Sequence, residues 1–169
     1  LLDRARNFHF IEAIPRIQVE HPITEMITGI DLVQYQIRLA AGEPLELRQK
    51  DIPLHGVALE CRINAEDPAR DFAPCPGLVE RFVPPGGFGV RLDTHVHQGM
   101  EISPYYDSLI GKLIVHKQNR PEAIACMKRA LHEFDIGPIK TTIPLCLEIL
   151  SHKQYLKGKI DTGFIERTW

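Results

Sequence analysis

Residues 55–64 read His55-Gly56-Val57-Ala58-Leu59-Glu60-Cys61-Arg62-Ile63-Asn64 and alternate apolar with more polar side chains. A period of two residues is typical of a β-strand that buries one face. One face carries Val57, Leu59, Cys61 and Ile63, and the other carries Ala58, Glu60, Arg62 and Asn64. The pattern therefore predicts a strand whose apolar face joins a core and whose other face displays Arg62.

The chain on either side of this strand predicts both strands and helices. Further strands are expected at 78–83, 90–95 and 111–116, the first two being separated by Pro84-Pro85-Gly86-Gly87. Helices are expected at 31–41, from Asn119 to near Gly137, at 142–150 and at 153–156, with a last helical turn at 164–168. These elements predict the α+β class, with a mostly antiparallel sheet and helices packed against it.

The first 20 residues predict extended chain. Residues 1–2, the polar turn 3–7 and residues 8–11 have the pattern of a hairpin. Between Glu12 and Glu20 polar and apolar side chains alternate again, but Pro15 restricts this segment to an edge strand or an extended loop. Residues 44–53 are polar, which makes them a boundary between two parts of the chain.

The composition is that of an ordinary globular protein. Of the 169 residues, 44% are hydrophobic and 25% are charged, which excludes a disordered, collagen-like or low-complexity chain. The 20 basic and 22 acidic residues give a net charge of −2. Because this balance lacks the basic character of proteins that bind nucleic acid or anionic lipid, we expect no nucleic-acid partner and no membrane association.

Four cysteines are present, Cys61, Cys75, Cys126 and Cys146, and none of them forms a CxxC pair. The spacing argues against a zinc or thioredoxin-like site. The even count leaves two disulfides open, but buried, reduced thiols are favoured because three of the four lie in apolar segments. The N-terminus has no apolar stretch behind its charges, so a cytoplasmic location is expected, with the mitochondrial matrix as the alternative.

The segment between Glu12 and Glu20 carries the most informative polar side chains. A guanidinium matches an oxyanion at two points, an amide adds a neutral donor, and a carboxylate accepts a proton from a bound acid. One row of the alternation contains all three groups, from Glu12, Arg16, Gln18 and Glu20. Such a row can hold a small anion; the alternative is an exposed strand face with cross-strand ion pairs.

Arg62 is the second candidate for binding chemistry, because it lies beside Glu60 and Asn64 on the polar face of the strand. A solvated or ion-paired arginine is the alternative. His95 and His97 share a face, but an HxH pair alone is a weak indication of a metal, and a non-metal role is favoured. The sequence contains no GxGxxG, GxxxxGK[ST] or GxSxG motif, so it shows no phosphate-binding loop of its own.

Several long stretches resemble the biotin carboxylases, the ATP-grasp enzymes of acetyl-CoA, propionyl-CoA, methylcrotonyl-CoA and pyruvate carboxylase. Phe10-Ile11-Glu12 and Arg16-Ile17-Gln18-Val19-Glu20-His21-Pro22-Ile23-Thr24-Glu25 resemble the active-site segment of these enzymes. The likeness continues through residues 60–68, 85–91, 105–113 and 139–142. It spans nearly the whole chain, which implies the end of an ATP-grasp domain at 1–50 and a biotin carboxylase C-terminal domain at 51–169.

The resemblance implies a role for each matching residue near the N-terminus. Glu12 would bind the Mg²⁺ or Mn²⁺ that bridges the ATP phosphates, since hard cations prefer oxygen ligands. Arg16, Gln18 and Val19 would hold bicarbonate. Glu20 would take the proton of bicarbonate before attack on the γ-phosphate of ATP, and the resulting carboxyphosphate would break down to CO₂ beside biotin. Arg16 and Glu20 are thus the implied catalytic residues.

Further positions match the biotin site and the subunit contact of the family. Arg62 would stabilise the enolate form of the biotin ureido group, as a fixed cation stabilises an oxyanion. Phe88 and Arg91 match positions in the homodimer interface of the bacterial subunits. The implied partners are a biotin carboxyl carrier protein or domain, a carboxyltransferase subunit or domain, and a second copy of the chain.

The sequence departs from the family in two respects. The family has Met-Asn-Thr-Arg or Met-Asn-Ala-Arg after the metal-binding glutamate, whereas this chain has Ala13-Ile14-Pro15-Arg16. Isoleucine has no donor oxygen, so we expect weaker metal or ATP binding. The family's phosphate-binding groups precede the segment matched by Leu1, so we expect a C-terminal fragment of a biotin carboxylase that does not turn over ATP alone. The alternatives are a non-catalytic dimerisation or scaffold module and another ATP-grasp ligase, such as a carbamoyl-phosphate synthetase.

Overall fold

The computed structural model describes residues 1–3 and 5–169. The helices and strands, in chain order, are α1 (His21–Thr28), α2 (Leu32–Ala40), β1 (Val57–Asn64), β2 (Glu66–Asp67), β3 (Ala73–Pro74), β4 (Gly77–Leu78), β5 (Arg81–Val83), β6 (Val90–Thr94), β7 (Glu101–Ile102), β8 (Leu109–Lys117), α3 (Arg120–Glu133), β9 (Asp135–Gly137), α4 (Ile143–Ser151) and α5 (Lys153–Leu156). Short 3₁₀ turns lie at Gln49–Asp51 and Pro68–Arg70. Helices packed on antiparallel strands confirm the predicted α+β class.

The central sheet has the strand order β1–β8–β6 and is antiparallel. Its register pairs Arg62 with Lys112 and Lys112 with Asp93, so one row of the sheet carries three charged residues. The next row on the same face joins Glu60 to Arg91 through Ile114. Side chains of one row lie about 5 Å apart, so this face concentrates charge.

The apolar face of the sheet forms the main core with α3. Residues that alternate along β8 and β1, namely Leu113, Val115 and Ile63, are fully buried there. Met127 and Leu131 of α3 pack into the same cluster and expose 1% or less of their surface. The alternation in 55–64 thus correctly predicts the buried face of β1.

Helix α1 covers the charged face and is not predicted by the local sequence pattern. Pro22 lies in its first turn, where a fixed φ favours the helix and no donor is lost. Gly29 ends it with a left-handed φ of 73°, and its N–H donates to the carbonyl of Glu25 over 2.8 Å. Because α1 packs on β1 and β8, its side chains meet the charged rows of the sheet.

Two predicted boundaries are wrong for one reason. The strand predicted at 78–83 is divided, because the N–H of Val79 donates to the carbonyl of Met100 while that of Glu80 donates to Gly137. The helix predicted to reach Gly137 ends at Glu133, because the next residues form β9 and pair with β5. Pairing with distant segments therefore overrides the local pattern in both places.

The N-terminal segment contains the predicted hairpin, with an antiparallel bridge between Leu2 and Phe8. Residues 12–20 form an extended loop that bends at Arg16 and turns at Val19 and Glu20 into α1, so the loop alternative is correct. The four cysteines are free thiols, as predicted. Within the described residues, the helices lack the length and apolar character needed to cross a bilayer.

Candidate functional site

The loop that precedes α1 meets the polar face of β1 at one ion pair. Nη2 of Arg62 donates to Oε1 of Glu20 over 2.9 Å, although the two residues are 42 positions apart in sequence. About half of each side chain is exposed, 50% for Arg62 and 46% for Glu20. The structure thus brings together the residue predicted to act as a base and the one predicted to bind biotin, at a place open to solvent.

The ionisation of Glu20 depends on its own backbone and on Arg62. The backbone N–H of Glu20 and the Arg62 guanidinium stabilise the carboxylate and hold the pKa of Glu20 below its usual value. Arg16 adds a weaker electrostatic contribution in the same direction. In the absence of a substrate, Glu20 is therefore an ionised but weakened base.

Arg16, Gln18 and Val19, the residues predicted to bind bicarbonate, lie within the turn that leads into α1. Nη1 of Arg16 donates to the carbonyl of Ile17 over 3.1 Å, and the Arg16 side chain is exposed. The carbonyl of Gln18 accepts from the N–H of His21 over 3.3 Å, and the Gln18 side chain points to solvent, whereas Val19 is half-buried. The exposed side chains of Arg16 and Gln18 therefore offer donors to solvent, and Arg16 is near enough to Glu20 for its charge to lower the pKa of Glu20.

Glu12, the predicted metal ligand, lies apart from this group. It is exposed and borders a shallow depression formed with the hairpin residues Leu1, Leu2, Phe8, His9, Phe10 and Ile11. Ile14, which is 42% exposed, offers hydrocarbon only. The described residues contain no group of three His, Cys, Asp or Glu side chains placed to hold a metal ion. One carboxylate is a suitable oxygen ligand, but it does not make a metal site by itself.

A ring of charged and polar side chains lies beside the Glu20–Arg62 pair. Oε1 of Glu25 is 2.9 Å from Nδ1 of His21, and Oε2 accepts from Nη1 of Arg91 over 2.7 Å. Arg91 also donates twice to Asp93, over 2.7 and 2.8 Å. Nζ of Lys112 lies 3.6 Å from Asp93 and 3.3 Å from Nε2 of His21, which completes the ring.

The ring keeps its carboxylates ionised despite burial. Burial acts to raise the pKa of Glu25, but the hydrogen bonds from Arg91 and His21 outweigh it and hold the pKa below its usual value. The same balance, with Arg91 and Lys112 as partners, lowers the pKa of Asp93. These residues therefore fix the position of α1, and hence of Glu20 at its start, relative to the sheet.

His21, Glu25, Asp93 and Lys112 are parts of the site that the sequence alone does not identify. The signal lies in the sheet register, which sets Lys112 between Arg62 and Asp93 and which a single sequence does not reveal. Alternation along each strand places these charges on a polar face, but which faces meet depends on the strand order.

Glu60 differs from the other carboxylates of the site. Both of its oxygens are buried and have no hydrogen-bond partner among residues 1–3 and 5–169. Burial raises the pKa of Glu60 to about 7; the charges of Glu20 and Asp93 act in the same direction, and those of Lys112 and Arg62 oppose them. Glu60 is therefore a carboxyl group that titrates near neutral pH beside the Glu20–Arg62 pair.

Phe88 and Arg91, the two residues predicted for a subunit interface, have different environments. The Phe88 side chain is 93% exposed, with Nζ of Lys117 lying 5.1 Å from its ring centroid. Arg91 is only partly exposed and is bound to Glu25 and Asp93. Phe88 is thus available to a partner, while Arg91 is part of the charged ring.

Two families match separate parts of the chain. Residues 60–167 match the family described as the biotin carboxylase C-terminal domain. Residues 1–48 match the ATP-binding domain of the carbamoyl-phosphate synthase L chain. The first match covers well over half of the chain and includes β1, the central sheet and α3.

Similar proteins of known sequence match along almost the whole chain. The chain is 54% identical over 166 residues to a biotin carboxylase of Nostoc sp., covering 98% of this chain and 37% of that protein. It is 50% identical over 161 residues to biotin carboxylase 1 of Bacillus subtilis, covering 95% of this chain and 36% of that protein. The chain spans little more than a third of the length of these relatives.

The solved structures show the same fold. The biotin carboxylase domain dimer of the Hydrogenobacter thermophilus 2-oxoglutarate carboxylase, in complex with MgADP, ADP and bicarbonate, matches with a TM-score of 0.94 and 51% identity. The match covers 98% of this chain and 37% of that one. A Campylobacter jejuni biotin carboxylase in a β,γ-ATP complex matches with a TM-score of 0.93 and 41% identity.

Proposed function

Because this chain belongs to the family of the biotin carboxylase C-terminal domain, we propose that it acts as the C-terminal part of a biotin carboxylase. That enzyme is an ATP-dependent ligase that transfers the carbon of bicarbonate to biotin on a carrier protein. The observation that carries the proposal is the 2.9 Å contact between Glu20 and Arg62. It puts a base and a cation, from segments 42 residues apart, at one solvent-accessible place.

In this proposal the turn before α1 binds and activates bicarbonate. Arg16 and Gln18 provide a charged and a neutral donor, and Val19 contributes its backbone. Glu20 accepts the proton of bicarbonate, so that an oxygen of the resulting dianion attacks the γ-phosphorus of ATP and ADP leaves. The carboxyphosphate that forms breaks down to CO₂ and phosphate beside biotin.

Arg62 acts on the second substrate. When the ureido group of biotin gives its N–H proton to the phosphate released from carboxyphosphate, negative charge moves to the ureido oxygen, and a guanidinium at that oxygen stabilises the enolate. The ureido nitrogen then attacks CO₂ to give carboxybiotin. Because Arg62 is bound to Glu20 before the reaction, it must leave this partner when biotin binds.

Among the described residues, Glu12 is the one ligand that we propose for the metal ion of ATP. A bound Mg²⁺ or Mn²⁺ would neutralise phosphate charge, and we propose Glu12 as one of its oxygen ligands. Glu12 belongs to no group of three ligand-type side chains in the described part of the chain, so the remaining ligands of the metal ion would come from outside this part of the chain.

We further propose three partners and two parts for the chain. The partners are a biotin carboxyl carrier protein or domain, a carboxyltransferase subunit or domain, and a second copy of the chain; the related 2-oxoglutarate carboxylase domain is a dimer. Residues 1–50 are proposed as the end of an ATP-grasp domain and residues 51–169 as the C-terminal domain. A cytoplasmic location is proposed from the free thiols.

Ile14 supports a second candidate function, a non-catalytic dimerisation or scaffold module. Its hydrocarbon side chain stands where the family has an asparagine, and it has no oxygen for a metal ion. The two candidates differ in whether the chain, in its full context, supports ATP cleavage that depends on biotin.

The proposal is tested in a full-length protein in which residues 1–169 replace the matching segment of the Nostoc enzyme. We expect ATP cleavage that requires both bicarbonate and biotin, and a loss of about 10²-fold or more in Arg16→Ala. Arg70→Ala is the matched control, because Arg70 is exposed in a turn outside the site. Cleavage that appears only in Ile14→Asn would favour the scaffold function instead.

A further inference from the structure

The carboxylate of Glu60 is buried on the charged face of the sheet without a hydrogen-bond partner in the described chain. An unpartnered buried carboxylate is costly, so such a group persists where its charge or its proton has a use. Neither the proposed bicarbonate site nor the charged ring uses Glu60. Glu60 lies two residues before Arg62 on the same face of β1, so Arg62 is the residue on which its charge can act.

Charged and titratable groups face Glu60 from every element packed around it. These are Glu20 in the loop, His21 and Glu25 on α1, Arg62 on β1, Arg91 and Asp93 on β6, and Lys112 and His116 on β8. Among the groups that are charged at neutral pH, Arg62, Arg91 and Lys112 balance Glu20, Glu25 and Asp93. An ionised Glu60 is thus a surplus negative charge, and it favours any rearrangement that brings a cation closer.

Arg62 is the cation that can move to Glu60. The two residues lie on the same face of β1, about 6.6 Å apart along the strand, which an arginine side chain can span. The Arg62 side chain is half exposed and is held by one hydrogen bond to Glu20. Lys112 and Arg91, by contrast, are already bound to other members of the charged ring. The guanidinium therefore has two carboxylates within reach, one of them without a partner.

We propose that Glu60 is a positioning residue that competes with Glu20 for Arg62, so that ionisation of Glu60 draws the guanidinium away and frees Glu20 to act as a base. The inference rests on the proposed function, because it assigns a consequence to the proposed base. Glu60 itself touches no substrate in this scheme. It acts through the position of Arg62.

The direction of the pH effect follows from the burial of Glu60. Because burial raises the pKa of Glu60 to about 7, the carboxyl group is protonated below neutral pH and Arg62 stays on Glu20. Above neutral pH the ionised carboxylate attracts Arg62, and the pKa of Glu20 rises towards its usual value as its partner leaves. The base is then stronger and unpaired, so turnover rises as pH increases through about 7.

The first test observes the side chain directly and needs no activity. Crystal structures of the full-length chimera are determined at pH 5.5 and pH 8.5, for the wild-type sequence and for Glu60→Gln. We expect Arg62 on Glu20 at pH 5.5 and on Glu60 at pH 8.5 in the wild type, and on Glu20 at both pH values in the variant. An Arg62 that stays on Glu20 at pH 8.5 in the wild type overturns the proposal.

The second test is the pH profile of kcat for biotin-dependent ATP cleavage. In the wild type we expect kcat to rise through about pH 7, and in Glu60→Gln we expect this rise to be lost, with kcat reduced about tenfold at pH 8. Glu60→Asp should keep the rise, and Glu80→Gln, in an exposed position away from the site, should leave the whole profile unchanged. A uniform loss in Glu60→Gln with the rise intact would show a merely structural role.

The two tests separate this inference from the proposed function. If the wild-type chimera is inactive, the proposed function fails, while the structures at two pH values still decide whether Arg62 changes partner. If Glu60→Gln does not fold, the wild-type structures and the pH profile of Glu60→Asp still show whether Arg62 changes partner when Glu60 ionises. An active chimera in which Arg62 stays on Glu20 at both pH values retains the proposed function and rejects the inference.

Discussion

Single residues of the charged ring determine how α1, and with it Glu20, is held on the sheet. Glu25 exposes only 8% of its surface, and both of its oxygens have partners, among them the N–H of Leu32 at 3.1 Å. Removing one partner of a buried, hydrogen-bonded carboxylate lowers the free energy of unfolding, because the other partners are left buried and unpaired. Glu25 is thus the residue whose replacement should affect stability and the placement of the site together.

We predict that Glu25→Gln lowers the free energy of unfolding by about 1–3 kcal/mol at pH 7. Because folding lowers the pKa of Glu25, its contribution is present above the usual carboxyl range and is lost as pH falls below about 4.5. The variant should therefore approach the wild type at acidic pH. Urea unfolding at pH 7 and at about pH 3, well below the usual carboxyl pKa, measures both effects.

Glu43→Gln is the control for this prediction. Glu43 forms an exposed ion pair with Arg38 over 2.6 Å, and exposed pairs contribute about 0–1 kcal/mol. Equal losses in the two variants, or a loss in Glu25→Gln that does not shrink with acidity, would contradict the role assigned to the ring.

How much of the site the sequence predicts depends on where its residues lie along the chain. Glu12, Arg16, Gln18 and Glu20 lie close together in sequence, so their residue types indicate anion binding without knowledge of the fold, with an exposed, ion-paired strand face as the alternative. Val19 is included only through the family resemblance. The contact of Glu20 with Arg62 crosses 42 residues. The strand pattern makes Arg62 a candidate for binding, but its role towards biotin comes from the family resemblance. The ring and the unpaired Glu60 depend on strand order and burial, which no local pattern specifies.

At the scale of elements, α3 closes the core against the apolar face of the sheet. The side chain of Asn119 caps it and accepts from the N–H of Glu122 over 3.0 Å. A cap satisfies a backbone donor that the helix leaves free. The sequence predicts this start correctly because capping is a local interaction.

We predict that Asn119→Ala lowers the free energy of unfolding by about 1 kcal/mol, while Asn119→Asp keeps the stability close to that of the wild type. Thermal unfolding followed by circular dichroism measures the difference. An unchanged free energy of unfolding in Asn119→Ala would show that α3 is held by core packing alone.

The elements that the sequence misses depend on distant contacts. Helix α1 has eight residues, and helices shorter than about 12 residues are marginal in water without packing. Its stability comes from the sheet beneath it. Strand β9 has three residues and exists through its pairing with β5. Longer elements with a clear period, such as β1 and α3, are predicted well because their local pattern agrees with their packing.

At the scale of the molecule, the two faces of the sheet have different roles. Its apolar face with α3 provides the core, and its charged face with α1 carries the proposed site. Phe88 lies at the turn before β6 and is 93% exposed, next to the strand that supplies Arg91 and Asp93. A partner that covers Phe88 would therefore bind close to the ring that holds α1.

We predict that Phe88→Ala weakens self-association of the full-length chimera by about 10-fold or more, as expected if this exposed aromatic side chain becomes buried in the interface. Sedimentation equilibrium measures the dissociation constant. Tyr105→Ala is the control, because Tyr105 is also aromatic and 90% exposed. Unchanged association in Phe88→Ala, or an equal loss in both variants, would contradict a specific interface at Phe88.

The central claim is that the Glu20–Arg62 pair belongs to a site that transfers the carbon of bicarbonate to biotin. The most direct test is the transfer of ¹⁴C from labelled bicarbonate to free biotin by the full-length chimera in the presence of ATP. We predict acid-labile label on biotin, lost by about 10²-fold or more in Glu20→Gln and in Arg62→Ala. ATP cleavage without label on biotin, or labelling that persists in both variants, would contradict the claim.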